Sequence, residues 1–385
     1  MKVYLDNNAT TAVAPEVLEA MLPYFSREYG NPSRPHSSGR EARKAVEDAR
    51  EAVAKALNAS PTEILFTGSG TEADNLAVAG AAHGMAAKGR HVITSSIEHS
   101  AVLHTCRQLE KCGFSVTYLP VSRAGVVAPG DLKAALERAE AEGKRATIIS
   151  IMHANNDTGA IQPIAELARI AHEHGAVLHT DAAQSAGRIP CDVQELGCDL
   201  LTISAHKFHG PKGVGAFYVR KGTRLEPILF GGSQEGGLRP GTEDVPGIVG
   251  LGRALPLACG RMESVGEQIR ALRDRLHRGL CEAIDGVGLN GPSEGRLANT
   301  ADLSFAGVEG ESLLVNLDLA GVAVGAGSAC TSGALEPSHV LMAMGLSRQA
   351  AQASIRFSLS AYTTGEEIEY VIRVLPPIIA KLRRQ

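Results

Sequence analysis

Between residues 64 and 219 the sequence alternates short apolar runs with stretches of helical periodicity, and this alternation constrains the fold more than any other feature. The apolar runs predict strands at residues 63–66, 91–94, 115–119, 147–151, 176–180, 200–203 and 214–219. Helical patterns such as 131–142 and 164–174 lie between several of them, the second directly after Pro163, a residue that suits a helix start. Strands that alternate with helices favour a mainly parallel sheet with helices on its faces.

A second region begins after Val249, where this alternation stops. A long charged helix over 250–284 precedes another α/β segment, with strands predicted near 300–305 and 354–358. We therefore expect an α/β protein whose large domain spans 14–260 and contains an amphipathic helix over 38–57. The smaller domain is expected to combine 261–385 with the N-terminal strand in 1–13.

Composition and charge narrow the class of protein. Glycine accounts for 42 of the 385 residues and aromatic residues for 4%, which suits tight strand–helix turns that approach a ligand closely. The formal charge of −4 comes from interspersed residues, so we expect no nucleic-acid partner, since that surface needs a concentrated basic face. No apolar run approaches the ~20 residues that cross a bilayer, and the N-terminus lacks the apolar stretch of a signal peptide. We expect a cytoplasmic protein with no membrane partner.

The cysteines favour neither a disulfide framework nor an intrinsic metal site. There are seven of them, and they form no C-x-x-C pair and no spacing with histidine that is typical of zinc. Most are expected to be buried small hydrophobic residues. Cys330 differs, because it lies in the run Gly-Ala-Gly-Ser-Ala-Cys-Thr-Ser-Gly, whose composition is typical of an exposed, mobile loop. We interpret Cys330 as the thiol placed for chemistry; the alternative is an ordinary small loop residue.

Three further clusters of residues are informative when they are considered together. The first is the Gly-rich turn 67–72 between a strand and a helix, where backbone N–H groups at Gly70 and Thr71 suit a phosphate. The second is Asp181 at the end of an apolar strand, and the third is Lys207, which also follows a strand and precedes a tight turn. Taken singly, these read as a capped glycine turn, a helix cap and a surface lysine. A lysine for an aldehyde, an aspartate for a pyridinium nitrogen and a helix start for a phosphate together indicate pyridoxal 5'-phosphate.

Ordered motifs along almost the whole chain make it similar to the cysteine desulfurases of the NifS/IscS group. That family consists of pyridoxal-phosphate enzymes with the aspartate-aminotransferase-like fold, known as fold type I. The resemblance is carried by 4–11, 30–33 with His36, 98–99, 155–156, 181–184, 206–207, Arg239 with 241–242, 328–333, 335–339 and 356–359.

The resemblance implies a role for each matched position. Lys207 would hold the cofactor as a Schiff base, Asp181 would keep its ring nitrogen protonated, and His99 would stack on the ring and serve in proton transfer. The remaining cofactor contacts would be Asn156 and Gln184 near the ring's phenolic oxygen, with Gly70, Thr71, Ser204 and His206 on the phosphate, and Thr242 reaching the phosphate from the other subunit of a homodimer. Arg356, together with Asn156, would bind the substrate, with the arginine gripping its carboxylate.

The implied reaction converts L-cysteine into L-alanine. The Cys330 thiolate would attack the substrate sulfur and keep it as a persulfide, which passes to an iron–sulfur scaffold or another sulfur-acceptor protein. No intrinsic metal is expected, although Cys330 would serve as a transient iron–sulfur ligand shared with a scaffold. The sequence departs from the family pattern at Gly236, where arginine is common, and at Pro240, where serine is common. Both departures concern the loop near Thr242.

Alternative functions stay open at the level of sequence. A selenocysteine lyase uses the same residues, whereas an aminotransferase of this fold needs no thiol on a Gly-Ser loop. A non-catalytic partner with the same fold is disfavoured by the presence of Lys207, Asp181, His99 and Cys330. The sequence does not distinguish general iron–sulfur assembly, nitrogenase supply, tRNA thiolation or DNA sulfur modification.

Overall fold

A computed structural model describes residues 1–326 and 336–384 of the chain. The strands are β1 (Val3–Leu5), β2 (Ile64–Thr67), β3 (His91–Ser95), β4 (Ser115–Leu119), β5 (Ala146–Ser150), β6 (Val177–Asp181), β7 (Leu200–Ser204), β8 (Gly215–Val219), β9 (Val287–Asn290), β10 (Thr300–Phe305), β11 (Val322–Ala326) and β12 (Ser354–Ser358). The helices are α1 (Pro15–Met21), α2 (Pro23–Ser26), α3 (Ser37–Leu57), α4 (Gly70–Asn75), α5 (Ala81–Gly84), α6 (Ser100–Lys111), α7 (Pro129–Ala141), α8 (Ile164–Glu173), α9 (Val193–Leu196), α10 (Val245–Gly260), α11 (Met262–Ala283), α12 (Gly310–Leu319), α13 (His339–Ala343), α14 (Arg348–Gln352) and α15 (Gly365–Leu382). None of these helices combines the length and hydropathy needed to cross a bilayer.

The larger sheet is mainly parallel, which confirms the predicted fold class. Its strand order is β2-β8-β7-β6-β5-β3-β4, and the pairs from β7 through β4 run parallel. Only β8 runs against its two neighbours. The strands predicted between residues 63 and 219 are all present, with ends that differ by one residue or none.

Both faces of this sheet are covered, and the sequence shows why. Consecutive apolar residues on a strand point to opposite faces. Ile93 and Ile149 belong to a core shared with α3, α8 and α10, whereas their neighbours Val92 and Ile148 belong to a core shared with α4, α5 and α6. The continuous apolar runs of β3 and β5 therefore fill two cores at once, as buried parallel strands do.

The smaller sheet has the order β1-β11-β12-β10-β9 and a separate core with α11, α12 and α15. Strand β1 pairs in parallel with β11, so the N-terminus lies in the sheet built by the C-terminal part of the chain. The other pairs are antiparallel. The bounds of the two domains stay a prediction.

The prediction of a single helix over 250–284 is wrong, because this segment forms two helices, α10 and α11. Arg261 separates them with non-helical backbone angles of φ −109° and ψ 3°. The two helices pack against different partners. Gly252 of α10 meets Ala49 of α3 closely enough that a Cβ would lie 2.6 Å from the alanine Cβ, whereas α11 packs on α15. Helical periodicity runs through the junction, but the change from an apolar to a charged composition marks it.

Candidate active site

A pocket of about 350 Å³ opens where the carboxyl ends of β5, β6 and β7 face the smaller sheet. Parallel-sheet proteins place ligand sites at this edge because the strand ends and helix starts converge there. Ten of the predicted site residues line this one pocket: Gly70, Thr71, His99, Asn156, Asp181, Gln184, Ser204, His206, Lys207 and Arg356.

At one end of the pocket, α4 begins directly after β2. Ser69 caps this helix by accepting a hydrogen bond from the Glu72 N–H at 3.1 Å. The Glu72 carboxylate is paired with Arg239, whose Nε donates to Oε1 at 2.8 Å. The N–H groups at Gly70 and Thr71 therefore start a helix whose nearby negative charge is paired, which is a favourable arrangement for an anion.

Lys207 lies in a short turn just after β7, and its amine points at backbone carbonyls. Nζ donates to the carbonyl oxygen of Asn8 at 2.6 Å and to that of Ala9 at 3.0 Å. Burial, followed by the charges of Arg188 and Arg356, lowers the pKa of Lys207 to about 8. A lysine in such surroundings has an appreciable neutral fraction near pH 8 and can act as a nucleophile.

Two buried carboxyl groups face the same pocket. Asp181 accepts a hydrogen bond from the Ala183 N–H at 2.8 Å, and burial raises its pKa above the ordinary value. Burial also raises the pKa of Asp74, whose buried Oδ1 has no hydrogen-bond partner in the part of the chain that the structure describes. The nearest basic group to Asp74 Oδ1, His179 at 3.6 Å, is no cation, because burial lowers its pKa to about 3. Buried carboxyl groups in this state favour a cationic ligand.

His99 caps α6 and is fixed in one tautomer. Its Nδ1 accepts a hydrogen bond from the Ala101 N–H at 3.2 Å, so the proton of the neutral ring is on Nε2. Burial is the largest cause of a lowered pKa at His99, which keeps the ring neutral near pH 7. The backbone carbonyl of the preceding residue, Glu98, accepts from His339 Nε2 at 2.9 Å.

Arg356 crosses into the pocket from β12 of the smaller sheet. Its Nη2 lies 2.7 Å from Asp6 Oδ1, and its Nη1 lies 3.2 Å from Asp157 Oδ1. The Nε atom is buried and has no hydrogen-bond partner in the described part of the chain. An unpaired donor on an otherwise anchored guanidinium suits a carboxylate ligand, because leaving it unpaired is costly.

One predicted residue lies elsewhere, and another falls outside the described part of the chain. Thr242 is exposed in the segment that leads into α10, and it does not line this pocket. Cys330 lies outside the described residues. The departure at Gly236 has a local explanation, since its φ of +66° is a left-handed conformation that favours glycine.

The sequence missed several residues that complete the site. Asn8 and Asp74 line the pocket, Asp6 and Asp157 pair with its Arg356, and Asp6 and Asn8 lie in a motif that carried the resemblance. A guanidinium, Arg188, lies one helical turn after Gln184 and contacts its side chain. The i, i+4 spacing was the available signal for that contact.

Comparison with known proteins agrees with this geometry. The class-V aminotransferase family model matches residues 3–371. A cysteine desulfurase IscS from Dictyoglomus turgidum is 53% identical over 382 residues, covering 99% of this chain and 95% of the relative. One from Methanosarcina thermophila is 49% identical over 381 residues, covering 99% and 93%. This chain belongs to the cysteine desulfurase group of the class-V aminotransferases.

Solved structures of cysteine desulfurase relatives share the fold over nearly the whole chain. A NifS-like protein aligns with a TM-score of 0.92 at 40% identity, covering 99% of this chain and all of the other. A structure described as SspA in complex with cysteine aligns with a TM-score of 0.82 at 36% identity, covering 94% of this chain. Class-V aminotransferases are pyridoxal-phosphate enzymes, and cysteine desulfurases of the IscS type act on cysteine and hand sulfur to acceptor proteins.

Proposed function

We propose that this chain is a cysteine desulfurase that uses pyridoxal phosphate to convert L-cysteine into L-alanine, taking the sulfur onto Cys330. The observation that carries the proposal is the convergence of Lys207, Asp181 and the start of α4 on one pocket, with Arg356 entering from the other sheet. The relatives named cysteine desulfurase, and the neighbour described in complex with cysteine, support the substrate.

The residues of the pocket fit pyridoxal phosphate. A Cβ at Gly70 would lie 3.1 Å from the Ser204 Cβ, so glycine keeps open the space between the helix start and Ser204 that a phosphate needs. Asp181 has no ion pair with a cation among the described residues, and a protonated ring nitrogen would supply that cation. Within the same described ranges, Lys207 Nζ meets carbonyl oxygens rather than a carboxylate, so the amine is available to an aldehyde carbon.

Each part of the pocket then has one task in holding the cofactor. The phosphate end consists of Gly70, Thr71, Ser204 and His206, the ring-oxygen side of Asn156 and Gln184, and the ring-nitrogen side of Asp181. When bound, pyridoxal phosphate supplies an electron sink that stabilises negative charge on the substrate's Cα. Every other step is carried out by the protein and the substrate.

Arg356 would orient the substrate through its carboxylate. Asp6 and Asp157 hold the two Nη atoms, which fixes the plane of the guanidinium where Arg356 lines the pocket. Lys207 Nζ, with its lowered pKa, would take the proton from Cα once the substrate is in place. His99, which lines the same pocket, offers an Nε2–H that can donate to the substrate.

The sulfur step needs a second thiolate, and we assign it to Cys330. As the Cys330 thiolate attacks the substrate sulfur, an S–S bond forms and the C–S bond breaks. The electron pair of the broken bond stays with the substrate's Cβ and takes up a proton, so that alanine leaves. The added sulfur stays on Cys330 as a persulfide, ready for transfer to the thiol of an acceptor protein.

The proposal includes a homodimer in the cytoplasm. Thr242 lies outside its own chain's pocket and is exposed, as expected of a residue that reaches the phosphate of a second subunit. Exposed large apolar side chains, which a subunit interface would bury, also support a dimer: Leu22, Phe25, Tyr29 and Phe230. Sedimentation of the purified protein at several concentrations tests it, and a monomer at all of them would contradict it.

The decisive experiment follows both products of cysteine. The loaded wild-type protein should release alanine and carry a persulfide detectable by mass spectrometry. Cys330→Ala should still bind the cofactor and change its spectrum when cysteine is added, but it should release no alanine. Cys112→Ala, which removes an exposed thiol from the described surface, should behave as the wild type.

Two results would redirect the proposal. Alanine release from Cys330→Ala at the wild-type rate would rule out the persulfide route and favour a lyase that expels the chalcogen directly. Turnover of L-selenocysteine without turnover of L-cysteine would assign the same pocket to a selenocysteine lyase.

A further inference from the structure

Arg188 is a mostly buried guanidinium without a carboxylate partner in the described residues. Nη1 donates to the Gln184 carbonyl oxygen at 2.9 Å and to Gln184 Oε1 at 2.6 Å, and Nη2 donates to the Lys207 carbonyl oxygen at 3.0 Å. Burial, followed by the charge of Arg356, lowers the pKa of Arg188 to about 10, so the group is still protonated at neutral pH. A mostly buried charge that meets only neutral oxygens among the described residues is costly to hold.

The contact with Gln184 fixes which way that amide faces. Since Oε1 accepts from Arg188, the amide nitrogen must lie on the other side, where Nε2 donates to the Asn8 carbonyl oxygen at 2.9 Å. The same carbonyl accepts from Lys207 Nζ at 2.6 Å. A flipped amide would direct its N–H groups at the guanidinium. Arg188 therefore keeps Gln184 as a hydrogen-bond donor beside the amine of Lys207.

Arg188 also differs from the other nearby arginine, Arg356, in whether its charge is paired with a carboxylate. Arg356 also lowers the pKa of Lys207, but it is paired with Asp6 and Asp157, and Asp6 offsets part of its effect. Arg188 has no such pair with any residue that the structure describes. The titratable and charged groups around Lys207 are Asp6, Asp74, His99, Asp181, Arg188, His206 and Arg356. Among them, Asp181 and Asp6 favour the protonated amine, whereas Arg188 is the strongest single charge against it.

We propose that Arg188 is a positioning residue of the lysine site, which holds Gln184 as a donor and places an uncompensated positive charge beside Lys207. The inference rests on the proposed function, because Lys207 is taken as the residue that bonds the cofactor. A fixed positive charge disfavours a proton on the lysine nitrogen, both in the free amine and in its linkage to the cofactor. Its removal should therefore raise the pH at which that nitrogen loses its proton.

The experiment is a pH titration of the visible absorbance of the loaded enzyme without substrate. Arg188→Met keeps most of the side-chain volume and removes the charge, so its midpoint should rise by on the order of one pH unit. Arg188→Lys keeps the charge and should stay close to the wild type. Arg261→Met is the matched control, because Arg261 is exposed and pairs with Glu16, and its midpoint should not move.

A second measurement keeps the test valid if Arg188→Met does not bind pyridoxal phosphate. Acetylation of Lys207 in the cofactor-free chain, quantified across pH by peptide mass spectrometry, should show a wild-type midpoint near the pKa of about 8 and a higher midpoint in Arg188→Met. Equal midpoints for wild type and Arg188→Met would overturn the role of Arg188. A wild-type protein with no visible band after addition of pyridoxal phosphate would instead overturn the proposed function, and acetylation would still decide the inference.

Discussion

Replacing Arg356 with glutamine tests whether this residue grips the substrate. The side chain is anchored by Asp6 and Asp157, and its buried Nε has no hydrogen-bond partner among the described residues. Glutamine keeps a polar end of shorter reach and removes the charge. The cofactor contacts assigned to other residues stay in place, so the substitution should weaken substrate binding and leave cofactor binding unchanged.

The expected size of the loss follows from that contact. A charge-assisted pair in an enclosed site contributes ~2–4 kcal/mol when one partner is removed. At about 1.36 kcal/mol for each factor of ten, this is a loss of roughly 30- to 900-fold in kcat/KM for cysteine. Because the carboxylate is bound both before and during the reaction, most of the loss should appear as a higher KM.

The assay measures alanine release over a range of cysteine concentrations, with cofactor occupancy determined from absorbance in the same samples. Arg261→Gln removes an exposed arginine that pairs with Glu16, and it should leave kcat/KM within about twofold of the wild type. Unchanged kinetics per loaded site, combined with reduced occupancy, would refute the reasoning. Arg356 would then be a residue that holds the two sheets together rather than a substrate ligand.

Three other changes probe the site and its support. Lys207→Ala should lose the absorbance of the lysine-linked cofactor and stop alanine release; near-normal alanine release would remove Lys207 from its role. Gly70→Ala should weaken pyridoxal phosphate binding by on the order of tenfold in a fluorescence titration, since the new Cβ would crowd Ser204, whereas Gly130→Ala, with open space around it, should not. Burial raises the pKa of Asp302 to about 7, so the folded chain holds a proton there that the unfolded chain has lost. Urea unfolding should find Asp302→Asn more stable than the wild type above pH 7, with a difference that shrinks by up to ~1.4 kcal/mol per pH unit between pH 7 and 5; a constant difference would contradict the raised pKa.

The sequence predicted the larger sheet well because its strands are buried on both faces. Such strands form continuous apolar runs, which stand out against the helices between them. The break at Arg261 was missed because two consecutive helices give one uninterrupted helical pattern, in which the change of composition was the available sign, and the helices differ in their packing partners, α3 and α15. Periodicity reports local structure, whereas this break is set by packing.

For the site, the sequence was informative where a residue follows a strand. Asp181 and Lys207 come at or just after the ends of β6 and β7, so topology alone brings them together. The residues that contact Arg356 and Lys207 could not be found in this way. Asp6 and Asn8 follow the first strand, which belongs to the other sheet. Contacts over such separations in the chain have no local signature, and only the assembled fold reveals them.

The first strand also has a consequence for how the protein is made. Val3 pairs with Val322, and the Asn8 side chain donates to Thr300, so the N-terminal segment emerges from the ribosome about 300 residues before its partners exist. The Asn8 carbonyl, which accepts from Lys207 Nζ, is therefore placed only when synthesis is nearly complete. We expect ribosome-stalled chains that end before β11 to retain no pyridoxal phosphate, while chains released after β12 do. Cofactor capture would thus mark a finished chain, and its measurement on stalled chains of increasing length would locate the step.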